Sequence, residues 1–214
     1  LSEIDHQPPS TAPVEQHSGA RLFLILGGAR SGKSTFAEKL ALQSGQSVAV
    51  IATATAEDEE MRARIARHQA ARPANWRTIE EPLDLSGAVR RASEQADVLL
   101  LDCLTLWTSN WLLRQSTGLD ADRIDPNQLF GAEALQEIET LLEILRALPA
   151  SKTLLAISNE VGLGIVPAYA LGRVYRDTLG YINQYLANAA ERVYLLVAGI
   201  AVDVKRLQEE ASLF

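Results

Sequence analysis

A single cysteine, Cys103, occurs in 214 residues. It can close no internal disulfide, so the chain is no disulfide scaffold, and it suits a reducing, cytoplasmic setting. No apolar run approaches the ~20 residues that a membrane-crossing helix needs. Positive charge is also scarce: 20 Lys and Arg stand against 27 Asp and Glu, a net charge of −7. That leaves no basic field to attract nucleic acid or an anionic membrane. No internal repeat is visible. The opening stretch, Leu1 to Ala20, carries Pro8, Pro9, Ser10, Thr11 and Pro13. It lacks both the apolar core of a signal peptide and the arginines of a transit peptide. Residues 1–20 therefore read as a disordered extension, with His6 and His17 idle, ahead of a single domain over residues 21–214.

What the chain does have is alternation. Apolar runs of strand length lie at 21–27, 47–52, 97–102, 152–157 and 193–198, with a short additional piece at 76–80. Helical patterns fall between them at 34–44, 57–71, 83–95, 105–115, 128–148 and 168–190. In the fifth of these, Leu135, Ile138, Leu142 and Leu145 share one face and Pro149 closes the helix. Continuously apolar strands are buried on both faces, so the pattern predicts an α/β fold: a mainly parallel, doubly wound sheet flanked by helices. Ligands in such sheets bind beyond the carboxyl ends of the strands.

The residues after the first strand are Gly27-Gly28-Ala29-Arg30-Ser31-Gly32-Lys33-Ser34. A strand, then G-x-x-x-x-G-K-S, then a helix is the P-loop in its expected context. Gly27 and Gly32 let backbone N–H groups converge on phosphates, and the helix N-terminus adds its dipole. Lys33 supplies a mobile cation for the β- and γ-phosphates, and the Ser34 hydroxyl suits Mg²⁺. The chain is predicted to bind a nucleoside triphosphate. Thr53 and Thr55 follow the second strand. Asp102 ends the third long one, where a carboxylate serves either Mg²⁺ or the N-cap of the next helix. Ser158-Asn159-Glu160 and a loop rich in glycine follow the fourth.

His68 is the one histidine past the extension, and Arg64, His68 and Arg72 share a helical face. Two flanking guanidinium groups disfavour a protonated ring and would hold an anion beside a neutral, nucleophilic nitrogen. An ordinary solvated basic helix end accounts for the same residues. On the helix at 168–190, Leu171, Tyr175, Ile182 and Leu186 form one side; Arg173, Arg176, Asp177, Gly180, Asn183 and Gln184 form another. The glycine there would admit a ligand or a neighbouring subunit, although an exposed face is an equal reading.

As a set these segments resemble the bifunctional adenosylcobinamide kinase/adenosylcobinamide-phosphate guanylyltransferase family of cobalamin biosynthesis. The resemblance rests on Gly27 to Ser34, Ile51-Ala52-Thr53-Ala54, Asp58 to Ile65 with His68, Arg72-Pro-Ala-Asn-Trp76, Thr78-Ile-Glu80, Leu100-Leu-Asp-Cys-Leu-Thr105, Ser158 to Pro167, Arg176-Asp177 and Asn183-Gln184. It spans about residues 21 to 204. It implies a RecA-like fold, a homotrimer, and two steps: phosphorylation of adenosylcobinamide by ATP or GTP, then transfer of GMP from GTP through a guanylylated histidine. His68 stands at that position. It further implies nucleotide contacts from the P-loop, Ala52, Thr53, Ala54, Gln69, Ala70, Ala71, Arg72, Glu80 and Asp102, with Ser34 and Asp102 on the metal. The extension before Arg21 and the polar stretch from Ser116 to Asn127 depart from the family pattern. A regulatory GTPase would read guanine with Asn-Lys-x-Asp, which the sequence does not contain, and a motor would want remodelling surfaces. A P-loop small-molecule kinase lacking the guanylyltransferase step remains the open alternative.

Overall fold

The computed structural model describes residues 19–55, 59–116 and 130–211. The six expected strands and six expected helices form to within two residues at each end. In order they are β1 (Arg21–Gly27), α1 (Lys33–Gln43), β2 (Val48–Ala52), α2 (Glu59–Ala71), β3 (Arg77–Glu80), α3 (Leu85–Ser93), β4 (Val98–Asp102), α4 (Leu104–Ser116), α5 (Phe130–Ala147), β5 (Thr153–Ile157), α6 (Ala170–Ala189) and β6 (Arg192–Val197). Two further elements, β7 (Ile200–Asp203) and α7 (Val204–Ala211), close the described chain.

The strands form one sheet in the order β3-β2-β4-β5-β1-β6-β7. All pairs are parallel except β6–β7. Alternation within each strand feeds two cores. On β4, Leu99 and Leu101 join Leu24, Trp107, Ile138 and Ile182 on the side of α3, α4, α5 and α6. Val98 and Leu100 join Ile25, Ala37 and Ala41 on the side of α1. This is the physical origin of the uninterrupted apolar runs: successive side chains point to opposite faces, and helices cover both. Asp84 caps α3, its carboxylate accepting from the Gly87 N–H at 2.8 Å. The apolar face expected on α5 is buried at Ile138, Leu142 and Leu145 and packs with Leu135.

Most of the expected extension lies outside the described residues, as does most of the polar stretch from Ser116 to Asn127. The last two residues of the extension are described. Gly19 and Ala20 are buried, and the Ala20 N–H donates to the Leu145 carbonyl at 2.8 Å. A Cβ on Gly19 would stand 2.5 Å from that carbonyl oxygen, so only glycine fits there. Packed backbone therefore reaches the last two residues before Arg21. The β6–β7 hairpin turns on Ala198 and Gly199, with φ of 51° and 83°, and Val197 pairs with Ile200. Positive φ at both central residues is what a two-residue hairpin in a right-twisted sheet demands. No helix among the described residues is long and apolar enough to cross a membrane.

Candidate active site

Parallel register brings the candidate site residues to one edge. Ala52 on β2 is opposite Glu80 on β3 and Asp102 on β4, and Asp102 is opposite Ile157 on β5. Beyond β1 the P-loop wraps from Gly27 to the start of α1. Gly27 has φ 150°, and a Cβ there would come within 2.6 Å of the Leu196 carbonyl oxygen and 2.7 Å of Ser31 Oγ. Gly32, φ 95°, is the N-cap of α1. Glycine is required at the first position by space and at the second by conformation. Arg30 also has positive φ, 57°. The hairpin between β6 and β7 braces the loop from the far side: the Gly199 N–H donates to the Ser31 carbonyl at 2.9 Å.

Lys33 is buried at the base of the loop, and its Nζ donates to the Gly28 carbonyl at 2.6 Å. Burial lowers its pKa, and the nearby charge of Asp102 works against that shift. Ser34 is half-buried on the first turn of α1, while Gly28, Ala29 and Arg30 are exposed.

The end of α2 converges on the same edge. Gln69 Nε2 donates to Glu80 Oε1 at 3.3 Å. The side chain of Arg72 is only 6% exposed, and its Nη2 donates to Asp102 Oδ2 at 3.0 Å. Its Nε stands 3.5 Å from Glu38 Oε1 on α1, and that nitrogen is buried with no hydrogen bond. One arginine thus ties α2, α1 and β4 together at the candidate metal carboxylate. His68, half-buried, sits in the last turn of α2, one residue before Gln69 and one turn before Arg72. Ala70 is exposed beside them.

Two polar positions turn inward. Thr53 is fully buried. Its hydroxyl donates to the Cys103 carbonyl at 2.7 Å and accepts from the Cys103 N–H at 2.8 Å. The hydroxyl therefore joins the ends of β2 and β4 and faces the protein, while Ala52, Ala54 and Thr55 beside it are partly exposed. The polar face of α6 is not uniformly solvated either: Asn183 is buried, and its Nδ2 reaches Asn159 and Glu160 after β5. Sequence reasoning did not find Glu38, or Asn110, whose Nδ2 donates to the Thr53 carbonyl at 2.7 Å. Their partners lie 34 and 57 residues away in sequence, so no local pattern signals them. Burial, with the charge of Asp102 beside it, pushes the Cys103 thiol up to about 11, which disfavours the thiolate.

Comparison with known proteins identifies the family. A sequence model described as cobinamide kinase / cobinamide phosphate guanyltransferase matches residues 23–204. The chain is similar to the bifunctional adenosylcobalamin biosynthesis protein CobP of Pseudomonas aeruginosa, 49% identical over 85% of this chain and 96% of that protein. It is 41% identical to the bifunctional adenosylcobalamin biosynthesis protein CobU of Escherichia coli K12, over 86% of this chain and 99% of that one. The counterpart from Salmonella typhimurium is 40% identical over the same shares. In fold, it resembles an ATPase from a bacterial type III secretion system: TM-score 0.52, 17% identity, 90% of this chain and 54% of that one. The fold is a RecA-like P-loop fold, with β5 inserted between the P-loop strand and the strand that ends in Asp102. With nearly its whole described domain matched and the motif residues gathered at one sheet edge, the chain belongs to the cobinamide kinase/cobinamide phosphate guanyltransferase family.

Proposed function

We propose that this protein phosphorylates adenosylcobinamide with ATP or GTP and then transfers GMP from GTP to the phosphorylated product by way of His68. The observation that carries the reading is the meeting of α2 with the P-loop edge: Gln69 on Glu80 and Arg72 on Asp102 hold the helix end bearing His68 against the ends of β3 and β4, on the sheet edge that also carries the loop.

In the first step the loop amides of Gly27 to Gly32 and the ammonium of Lys33 hold the phosphates and neutralise charge as the γ-phosphoryl group moves. Ser34 and Asp102 would hold Mg²⁺. One hydroxyl and one carboxylate beside phosphates suit that ion, and the Asp102 carboxylate is paired with the Arg72 guanidinium. Bound there, the ion would add charge neutralisation to the phosphates. In the second step a ring nitrogen of His68 bonds to the α-phosphorus of GTP, and pyrophosphate leaves. The phosphate of the acceptor then attacks the same phosphorus and frees the histidine. A covalent intermediate lets one site bind donor and acceptor in turn. Thr53 enters this reading as a support of the strand ends. On the family resemblance we carry Gln69, Ala70, Ala71 and Glu80 as nucleotide-contacting positions. We read the working form as a cytoplasmic homotrimer.

The test is covalent labelling. GTP radiolabelled at its α-phosphate should leave acid-labile, base-stable label on the wild type, as a phosphoramidate does. His68→Asn should take none and lose the transferase step, yet keep kinase activity. Equal labelling of both proteins would sink the proposed nucleophile.

A further inference from the structure

The proposed kinase step needs a place for the hydroxyl-bearing arm of its acceptor, and the sheet edge provides one beside the P-loop. The order β4-β5-β1 sets the carboxyl end of β5 between Asp102 and the loop. The chain leaves β5 along that loop: the Ser158 N–H donates to the Ile25 carbonyl at 3.0 Å and the Glu160 N–H to the Gly27 carbonyl at 3.2 Å. Against this segment lies a cavity of about 270 Å³ whose walls include Glu160, Arg176, Asp177, Gly180, Asn183 and Gln184. That volume admits an arm of the acceptor and not its macrocycle.

Three features mark the cavity as a ligand site. Asn183 is 5% exposed. Its Nδ2 donates to the Asn159 carbonyl and to Glu160 Oε1, both at 3.1 Å, whereas its Oδ1 is buried with no partner. A buried acceptor without a donor is uncommon in native proteins, and a hydroxyl group would satisfy it. Gly180 lies inside α6, where glycine weakens a helix relative to other residues. A Cβ there would meet nothing within 4 Å, so no neighbouring protein group demands the small residue; what it preserves is the open space. Finally, Arg176, paired with Asp177 at 2.7 Å, places a guanidinium on the wall, a group suited to phosphate.

We propose that this cavity receives the reacting arm of the acceptor and that Glu160 is the general base of the kinase step, an inference that rests on the two-step reading above. The acceptor hydroxyl oxygen bonds to the γ-phosphorus of the nucleotide while the bond from that phosphorus to the β–γ bridging oxygen breaks. The hydroxyl proton passes to the Glu160 carboxylate, the nucleoside diphosphate departs, and the new phosphate meets Arg176. Asn183 fixes the carboxylate through Nδ2, and a turn of its amide offers Oδ1 to the incoming hydroxyl.

The experiment uses the full chain with adenosylcobinamide, GTP and Mg²⁺. It measures phosphorylation kinetics and covalent GMP incorporation for the wild type, Glu160→Gln and Gly180→Leu. Glu160→Gln retains an acceptor for the Asn183 N–H and should lower kcat of phosphorylation by about 10²-fold or more. Its acceptor KM should stay within about threefold of the wild-type value, and GMP incorporation should be unchanged. Gly180→Leu should raise acceptor KM by about tenfold or more, with no loss of thermal stability, since leucine is the better helix former. A Glu160→Gln enzyme with near wild-type kcat overturns the base, as does one that loses GMP incorporation along with kinase activity, because the residue would then shape the P-loop. A Gly180→Leu protein with unchanged KM but an altered oligomeric state gives the cavity to subunit packing and overturns the subsite. A wild type that neither phosphorylates adenosylcobinamide nor takes GMP fails the two-step reading itself, and this inference with it.

Discussion

Thr53 offers a sharp separation of a structural from a nucleotide-binding role. Its side chain is fully buried, and its hydroxyl makes two bonds to Cys103, at 2.7 and 2.8 Å. Thr53→Val keeps the shape and removes both. The Cys103 carbonyl retains a bond from the Trp107 N–H at 3.1 Å, so its loss is modest, about 1 kcal/mol. The Cys103 N–H is left without that partner at the end of β4, which costs about 1–3 kcal/mol. The expected destabilisation is about 2–4 kcal/mol, or roughly 4–16 °C in Tm for a domain of this size. Thr53→Ser keeps the hydroxyl and sheds only a methyl group, about 1 kcal/mol. Urea unfolding of the three proteins, with the slope m held constant, isolates the hydroxyl as the difference between the two variants. GTP affinity measured in parallel should fall little in the folded Thr53→Val protein. A variant as stable as the wild type that binds GTP several times more weakly would refute the argument and return the hydroxyl to the nucleotide.

Three further outcomes are expected. Lys33→Ala should cut both activities by about 10²-fold or more while the urea midpoint stays near that of the wild type, because the ammonium it removes is poorly solvated; near wild-type phosphorylation would overturn the P-loop assignment. Deleting residues 1–18 but keeping the buried Gly19 and Ala20 should leave Tm and turnover unchanged, since so polar and proline-rich a stretch has little to bury; a large fall in Tm would show that it docks. Ala198→Asn should stabilise by about 0.5–1 kcal/mol, because Asn-Gly suits a turn with positive φ at both positions better than Ala-Gly does; a lower urea midpoint would contradict the turn geometry.

The strands and helices that were legible in the sequence are those whose burial is two-sided or one-faced in a regular way. Val98 to Leu101 and Thr153 to Ile157 announce themselves because both sheet faces are covered. β7 does not, because Ile200 and Val202 are largely exposed at the edge of the sheet and carry no alternating core pattern, and its turn uses Ala198 where the usual signal is asparagine. At the site, the P-loop was legible because its glycines answer local constraints of space and φ. The grouping of Arg72 with Asp102 and Glu38 was not, since register between β2, β3 and β4 decides which distant residues meet. The inward turn of the Thr53 hydroxyl was not legible for a related reason. A threonine just past a strand end can turn its hydroxyl outward to a ligand or inward to the next strand, and only the neighbouring chain decides.

The contact of the β6–β7 hairpin with the P-loop bears on the entropy of nucleotide capture. A glycine-rich loop standing alone would sample many shapes, and a phosphate would have to select one, losing affinity to the ordering. Here Gly199 fastens Ser31 through a main-chain bond, and the Leu196 carbonyl fills the space that would let Gly27 be replaced by a bulkier residue. The concavity of amides is thus set when the polypeptide folds, by two strands at the far end of the sheet, and the ordering cost falls on folding instead of binding. A loosened hairpin would therefore register first as weaker nucleotide affinity, ahead of any change in the chemical step.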